Sequence, residues 1–396
     1  MRYISLRNLP DEMGRENLEI SSILAARLFY AIMWFNISPA LIPISETFHV
    51  NFSLMGLTLA LFLLGAGIFQ IPAGIISARL GARNTALIGL YVMTAGSLLT
   101  WKSPDFISVL LSRFATGVGA AFFFSTGIAL LGGIAPSRTA SLIGYYNASY
   151  NVGASAGIIA FSPMVSLFGW RDDFLVSALL LLVVSLFMQW QVKPMGIKYR
   201  MNGSAIRGRL FSPYIWIIGL GFLGLWALNY SVPEYFKSFA ESAGIGINTA
   251  AILGGIIPIS GIAGGILVHY FRKGRIILKA SVFSVLSGLL IISVPFVAHL
   301  WYWLILVFVG VSATIVISME YAIVASSEES REYLALSIGV INSIQIGLGS
   351  AVAAIAGLLD AYGFMWTWIF IGVLAIITIP VLSVANIRGV LKSPAQ

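Results

Sequence analysis

The chain has no cysteine in 396 residues, three histidines, and only 10% charged residues. Without thiols there is no disulfide, no thiol nucleophile and no cysteine-based metal site. Charge this sparse does not cover a soluble globule of this size. No GxxxxGK(S/T) phosphate loop occurs, which argues against work driven by ATP. No His or carboxylate cluster has metal-ligand spacing, and no Ser, His and Asp set converges within the loops. Neither a cofactor nor a resident metal is expected, and the reading is not that of an enzyme.

Apolar residues dominate what remains: 59% of the chain is hydrophobic and its mean hydropathy is +0.94. Such a chain belongs in lipid, and spans of roughly 20 residues with short loops fit about twelve times into this length. The formal charge of +8 raises nucleic acid as a partner, but the basic residues sit in separate short loops rather than on one face. They read as orientation signals, with no nucleic acid implied. The N-terminus is polar and of mixed charge up to Glu19, unlike a cleaved signal peptide, so nothing is expected to be removed.

Leu61 to Arg83, LFLLGAGIFQIPAGIISARLGAR, is a membrane span ending in a turn with two arginines. A second copy recurs about 190 residues later, an internal repeat, at Ile257 to Arg275, with Pro258, Gly265, Arg272, Lys273 and Arg275 in the same order. IGYYNASYNVGASAG from Ile143 likewise matches IGVINSIQIGLGSAV from Ile338, with Asn147 opposite Asn342. Asn36, followed by Pro39, matches Asn229, followed by Pro233. Repeats at nearly one spacing imply two six-helix bundles of one ancestry.

Breaks at Gly, Pro and charge clusters give the spans. The first six run Arg27 to Pro43, Ser53 to Ser77, Thr85 to Trp101, Phe106 to Ile134, Ala140 to Val165 and Phe174 to Val192. The last six run Phe211 to Tyr235, Ile247 to Phe271, Ile276 to Val297, Trp301 to Ala325, Leu334 to Leu359 and Met365 to Ala385. The domains are thus 1–192 and 211–396, joined by a basic linker, 193–210. Lys and Arg collect on alternate connections, at Arg79 and Arg83, Arg138, the linker, Arg272 to Lys279, Arg331, Arg388 and Lys392. Cytoplasmic loops retain such residues, so both termini are expected in the cytoplasm of a multi-pass plasma-membrane protein.

With these motifs in place, the chain resembles the major facilitator superfamily over nearly its whole length. The loop GIISARLGAR looks like that family's signature between spans two and three, with Ala78 where an acidic residue is usual. RFATGVGAA, with Arg113, Gly117 and Gly119, is similar to its span-four signature. The wording around WFNISPALIPISETFHVNFSLMGL is most like the branch of cyanate permeases and nitrate/nitrite porters. Spans two and eight lack the arginines of nitrate porters, so nitrate exchange is not inherited. The resemblance implies two bundles around a central cavity lined by spans one, four, seven and ten, working by alternating access.

The candidate site residues follow from polarity at depth. Arg113 lies roughly 10 Å below the outer end of span four by helical rise, as an anion-binding or coupling residue or as a brace on the carbonyls of a neighbouring helix. Asn36 and Asn229, with Trp34, Trp226 and Tyr230, either form the two walls of a solute site or serve as interhelical glue. Asn147, Asn151, Asn342 and Gln345 give polar stripes. Glu320 is a proton carrier or the ion-pair partner of Arg272 or Arg275. Arg27 snorkels to the interface, with a cavity role as the alternative. Glu234 belongs to an extracytoplasmic gate or is an exposed interfacial carboxylate. His269 stabilises its loop or relays protons. Arg83 and Arg275 are the basic latches holding one face closed.

The function read from this is secondary transport of a small anionic or polar organic solute through one central site, by a monomer in the bilayer, with protons as a possible partner. Proton-coupled efflux of amphipathic compounds is the alternative. A membrane receptor or an intramembrane enzyme lacks the loops or the clustered ligands it would need.

Overall fold

The computed structural model of the chain describes residues 9–194, 203–271, 274–327 and 331–382. Helices make up the described residues almost entirely, in the order α1 (Leu9–Phe35), α2 (Leu41–Phe48), α3 (Gly56–Ile68), α4 (Gln70–Leu80), α5 (Ala82–Trp101), α6 (Phe106–Ile134), α7 (Thr139–Ile159), α8 (Phe161–Phe168) and α9 (Trp170–Gln191). After α10 (Gly203–Leu210) come α11 (Pro213–Gly221), α12 (Leu223–Ser242), α13 (Ile247–Phe271), α14 (Ile276–Ser293), α15 (Leu300–Ser327), α16 (Arg331–Leu359) and α17 (Phe364–Ile377). Among the described residues ten helical stretches are long and apolar enough to cross a membrane, and a bent pair, α3 with α4, makes an eleventh. Helix α5, of 20 residues, is more polar, falls outside that set and packs against α6 and α9. The face at which α1 starts, at Leu9, is called here the terminal face.

Proline sets the interruptions. Pro72 cannot donate to Ile68, and its ring crowds that carbonyl, so span two bends by 44° between α3 and α4. Pro163 divides span five into α7 and α8 in the same way. Span one departs most from expectation. It was expected from Arg27 to Pro43, yet α1 begins at Leu9 and the apolar window reaches from Gly14 to Phe48. The segment before Arg27 keeps a buried helical face of Ile20, Ile23 and Ala26, so helix and packing continue through it. Span three starts at Ala82 rather than Thr85, because Gly81 alone makes the turn, at φ 82°, where a side chain would be strained. Span seven runs on to Ser242, past the expected end at Tyr235.

Helices pack pairwise within each set of six, α5 with α6, α1 with α7, α13 with α15 and α14 with α17. Gly117 shows why the span-four motif needs glycine: a Cβ there would run into the Phe62 carbonyl of α3. Between the sets, α3 packs on α16 and α7 on α13. Ser38 Oγ donates to the Glu234 carbonyl at 2.8 Å, Ser155 Oγ to the Gly255 carbonyl at 2.9 Å, and Ser343 Oγ to the Gly67 carbonyl at 2.7 Å. The rings of Phe52 and Phe364 add a contact at 6.0 Å. These named contacts lie at mid-depth or toward the face away from the termini. On the terminal side α4 still touches α16.

Candidate solute site between the two sets of spans

Arg27 lies 2% exposed, not at an interface, which corrects the snorkelling expectation. It is 18 residues into α1, or about 27 Å from the helix start by helical rise. Its neighbours are aromatic. Tyr30 stands three residues on along α1, Tyr146 and Tyr150 are one turn apart on α7, and Phe124 comes from α6, so all four rings converge. The guanidinium carbon is 4.5 Å from the Tyr30 ring centre, 4.7 Å from Phe124, 4.4 Å from Tyr146 and 4.6 Å from Tyr150. Each desolvated cation–π contact contributes about 1–2 kcal/mol. Such contacts neutralise no charge, and Nε and Nη1 have no hydrogen-bond partner among the described residues. No carboxylate among them pairs with Arg27 either.

Arg113 is engaged differently. Pro39 has no N–H, so α1 ends at Phe35 and leaves carbonyls of its last turn without helical donors. Arg113 Nη1 donates to the Met33 carbonyl at 3.0 Å and Nη2 to the Trp34 carbonyl at 3.1 Å, with the guanidinium 4.6 Å from the Phe62 ring centre. The guanidinium therefore caps a broken helix. Glu234 and Asp173 lie within its electrostatic reach.

Asn36 turns toward span six, where Nδ2 donates to Ser177 Oγ at 2.9 Å beside the buried Asp173. Asn229, its repeat partner, is half-buried with no hydrogen bond among the described residues. The two amides are thus in unlike surroundings. Trp34 is buried among Tyr30, Phe62 and Tyr150, with its indole N–H unpartnered. Tyr230 is buried against Gly349 and its hydroxyl also lacks a partner. Asn147 is exposed while Asn342 is buried and accepts from Tyr321 Oη at 3.0 Å.

Glu320 corrects the expected ion pair. Its carboxylate accepts from Trp226 Nε1 at 2.8 Å and from Gln345 Nε2 at 2.5 Å, bonds that join spans seven, ten and eleven. Arg275 is exposed and does not reach it, and Arg272 lies outside the described residues. The seam of span ten passes through Tyr321, whose ring packs edge-on to Trp226 at 6.5 Å, and Tyr321 lies within electrostatic reach of Arg27. Glu234 is fully buried, against the expectation of an exposed carboxylate, and neither of its carboxylate oxygens has a hydrogen-bond partner among the described residues. Ser38 grips its main-chain carbonyl instead.

Arg83 also differs from the latch expected between the halves. Nε donates to the Val192 carbonyl and Nη2 to the Gln189 carbonyl, both at 2.5 Å, so it ties span three to the end of span six within one set. Positive charge at that carbonyl end of α9 is stabilising in itself. On the same side Arg138 pairs with Glu16 of α1. In the loop before span four, Asp105 caps α6, and the Ser108 amide and hydroxyl hold its carboxyl below the usual range. His269 rests edge-on against Tyr270 at 5.8 Å.

The residues that sequence reasoning passed over are the cage rings Tyr30, Phe124, Tyr146 and Tyr150, together with Asp173; Tyr321 stood in the polar seam of span ten with Thr314 and Ser318. A signal existed for the cage: Arg27 and Tyr30 are three apart, and Tyr146 and Tyr150 four apart, in the stretch where the asparagines drew notice. Asp173 stands beside Asp172 in the first turn of α9, where no sequence signal set it apart.

The relatives agree with this architecture. A POT family transporter, solved in complex with a thioalcohol-conjugated peptide, shares the fold at a TM-score of 0.78 with 11% identity, over 93% of this chain and 96% of that one. The multidrug efflux protein YfmO of Bacillus subtilis is 29% identical over 147 residues, 37% of each chain. The probable anion transporter 6, chloroplastic, of Arabidopsis thaliana is 26% identical over 147 residues, which is 37% of this chain and 28% of that protein. This chain therefore spans about a third of the length of these two relatives. The inner membrane transport protein YdhP of Escherichia coli matches more broadly, 23% identical over 303 residues, 70% of this chain and 72% of that one. These relatives point to a membrane transporter rather than an enzyme. With residues 23–354 matching its family model, the chain belongs to the major facilitator superfamily.

Proposed function

We propose that this protein is a secondary transporter that moves a small organic anion by alternating access between two six-span domains, 1–192 and 211–396. The observation that carries this reading is Arg27, a buried cation whose Nε and Nη1 have no acceptor, and which has no carboxylate partner, among the described residues. A buried unpaired charge costs several kcal/mol, and a bound anion would relieve that cost. Arg27 takes the anion-binding role first considered for Arg113, whose two terminal nitrogens are engaged by α1. Asn229, Trp226 and Tyr230 form the opposite wall. The contacts at Ser38, Ser155 and Ser343 support a conformation closed away from the termini. With Lys and Arg inside, that is a state facing the cytoplasm of a plasma-membrane protein.

Counterflow in proteoliposomes tests this. Preloaded organic anions are expected to accelerate uptake of a labelled anion, while amides of matched size do not. Equal counterflow by the amides would remove the anion assignment.

A second reading, proton-coupled export of amphipathic compounds, is supported by Glu320, held by two neutral donors rather than by a cation. The relatives named for multidrug efflux and resistance point the same way. Under that reading a protonophore and Glu320→Gln each reduce export more than tenfold. Under the first, exchange of one anion for another survives both.

A further inference from the structure

We infer that the Arg27 cage and the facing rings of Tyr321 and Trp226 form a site for a small aromatic carboxylate, with the carboxylate on Arg27 and the ring beside Tyr150. This rests on the anion reading above and narrows it to a substrate class. Two observations point to a ligand. Arg27 is buried, yet Nε and Nη1 have no acceptor among the described residues, and a carboxylate is the acceptor a guanidinium binds most strongly. The walls around it are rings rather than aliphatic chains. Of the four cage rings, Tyr30, Tyr146 and Phe124 are buried, whereas Tyr150 is only partly so. Tyr150 is also within electrostatic reach of Tyr321, which is itself within reach of Arg27 and in edge contact with Trp226. A flat ring placed against Tyr150 would lie near the Tyr321–Trp226 pair, and such rings associate in edge or offset geometry.

A purely structural cage, pinning α1 to α6 and α7, would hold Arg27 equally well but would not discriminate between charged and neutral ligands of one shape. Benzoate and benzamide make that comparison by calorimetric titration of the purified full-length chain. Wild type is expected to bind benzoate at least tenfold more tightly than benzamide. Arg27→Gln is expected to weaken benzoate at least tenfold more than benzamide, which removes that preference, and Arg27→Lys restores part of it. Equal binding of the two by wild type, or an unchanged ratio in Arg27→Gln, overturns the inference. If Arg27→Gln does not fold, Tyr150→Leu removes one wall and keeps the charge: a several-fold loss of benzoate affinity supports the site, and unchanged affinity overturns it. Wild-type vesicles that exchange aliphatic anions without preferring benzoate would overturn the aromatic assignment alone. Absence of any anion exchange would remove the broader reading with it.

Discussion

Arg113→Gln is expected to abolish uptake and to destabilise the protein by about 3–5 kcal/mol, the range for removing one partner of a buried charged cluster. The sequence by itself suggests a transport defect with folding intact. The structure adds the stability loss, because the guanidinium bonds the Met33 and Trp34 carbonyls where α1 breaks, and it is the cation within reach of Glu234 and Asp173. Glutamine is shorter, presents a single nitrogen where the guanidinium uses two, and leaves both acids without a compensating charge. Thermal unfolding in detergent reads the first effect and proteoliposome uptake the second. Lysine keeps the charge but cannot fork onto two carbonyls, so Arg113→Lys should fall between wild type and glutamine in both.

The second large effect comes from a substitution far from any charge. Gly67→Val should shift the protein out of the observed conformation, because a Cβ at Gly67 would fall on the Gly347 backbone of α16. Overpacking at such a contact costs about 2 kcal/mol, which changes the ratio of two conformations roughly thirty-fold. Because the native chain has no cysteine, one introduced thiol reports the shift cleanly. In a Ser38→Cys background, maleimide added from the face away from the termini should label the Gly67→Val protein many times faster than its parent. Equal labelling rates would mean that α3 and α16 stay together in both states and act as a pivot. Gly347→Ala is the milder control, since little within 4 Å opposes a Cβ there.

How far the residues themselves foretold this arrangement depends on the kind of force involved. Span positions were legible because lipid imposes a length and forbids unpaired backbone groups, and the repeat at Asn36 and Asn229 or at Asn147 and Asn342 marked related segments. Environments within those segments were not legible. Asn147 is exposed while Asn342 is buried, since a repeat fixes helix register but not what each copy packs against. The start of span one was misplaced because Arg27 looked like the edge of a hydrophobic run. A cation surrounded by four rings violates the rule that charge marks a boundary, and the spacings within α1 and α7 do not say that the two pairs meet, which only tertiary contacts show. The expected pairing of Glu320 with Arg275 was not met for a related reason: a loop arginine is the obvious neighbour by charge, whereas Trp226 and Gln345 come from distant segments and carry none.

The bond from Ser38 ends on an oxygen that every amino acid possesses. The seal on that face is therefore indifferent to which side chain occupies position 234. Under the proposed transport reading, substitution there would change the electrostatics around Arg113 while the main-chain bond to Ser38 is kept, so a contact between the two sets of spans and a local charge become separately adjustable at one residue.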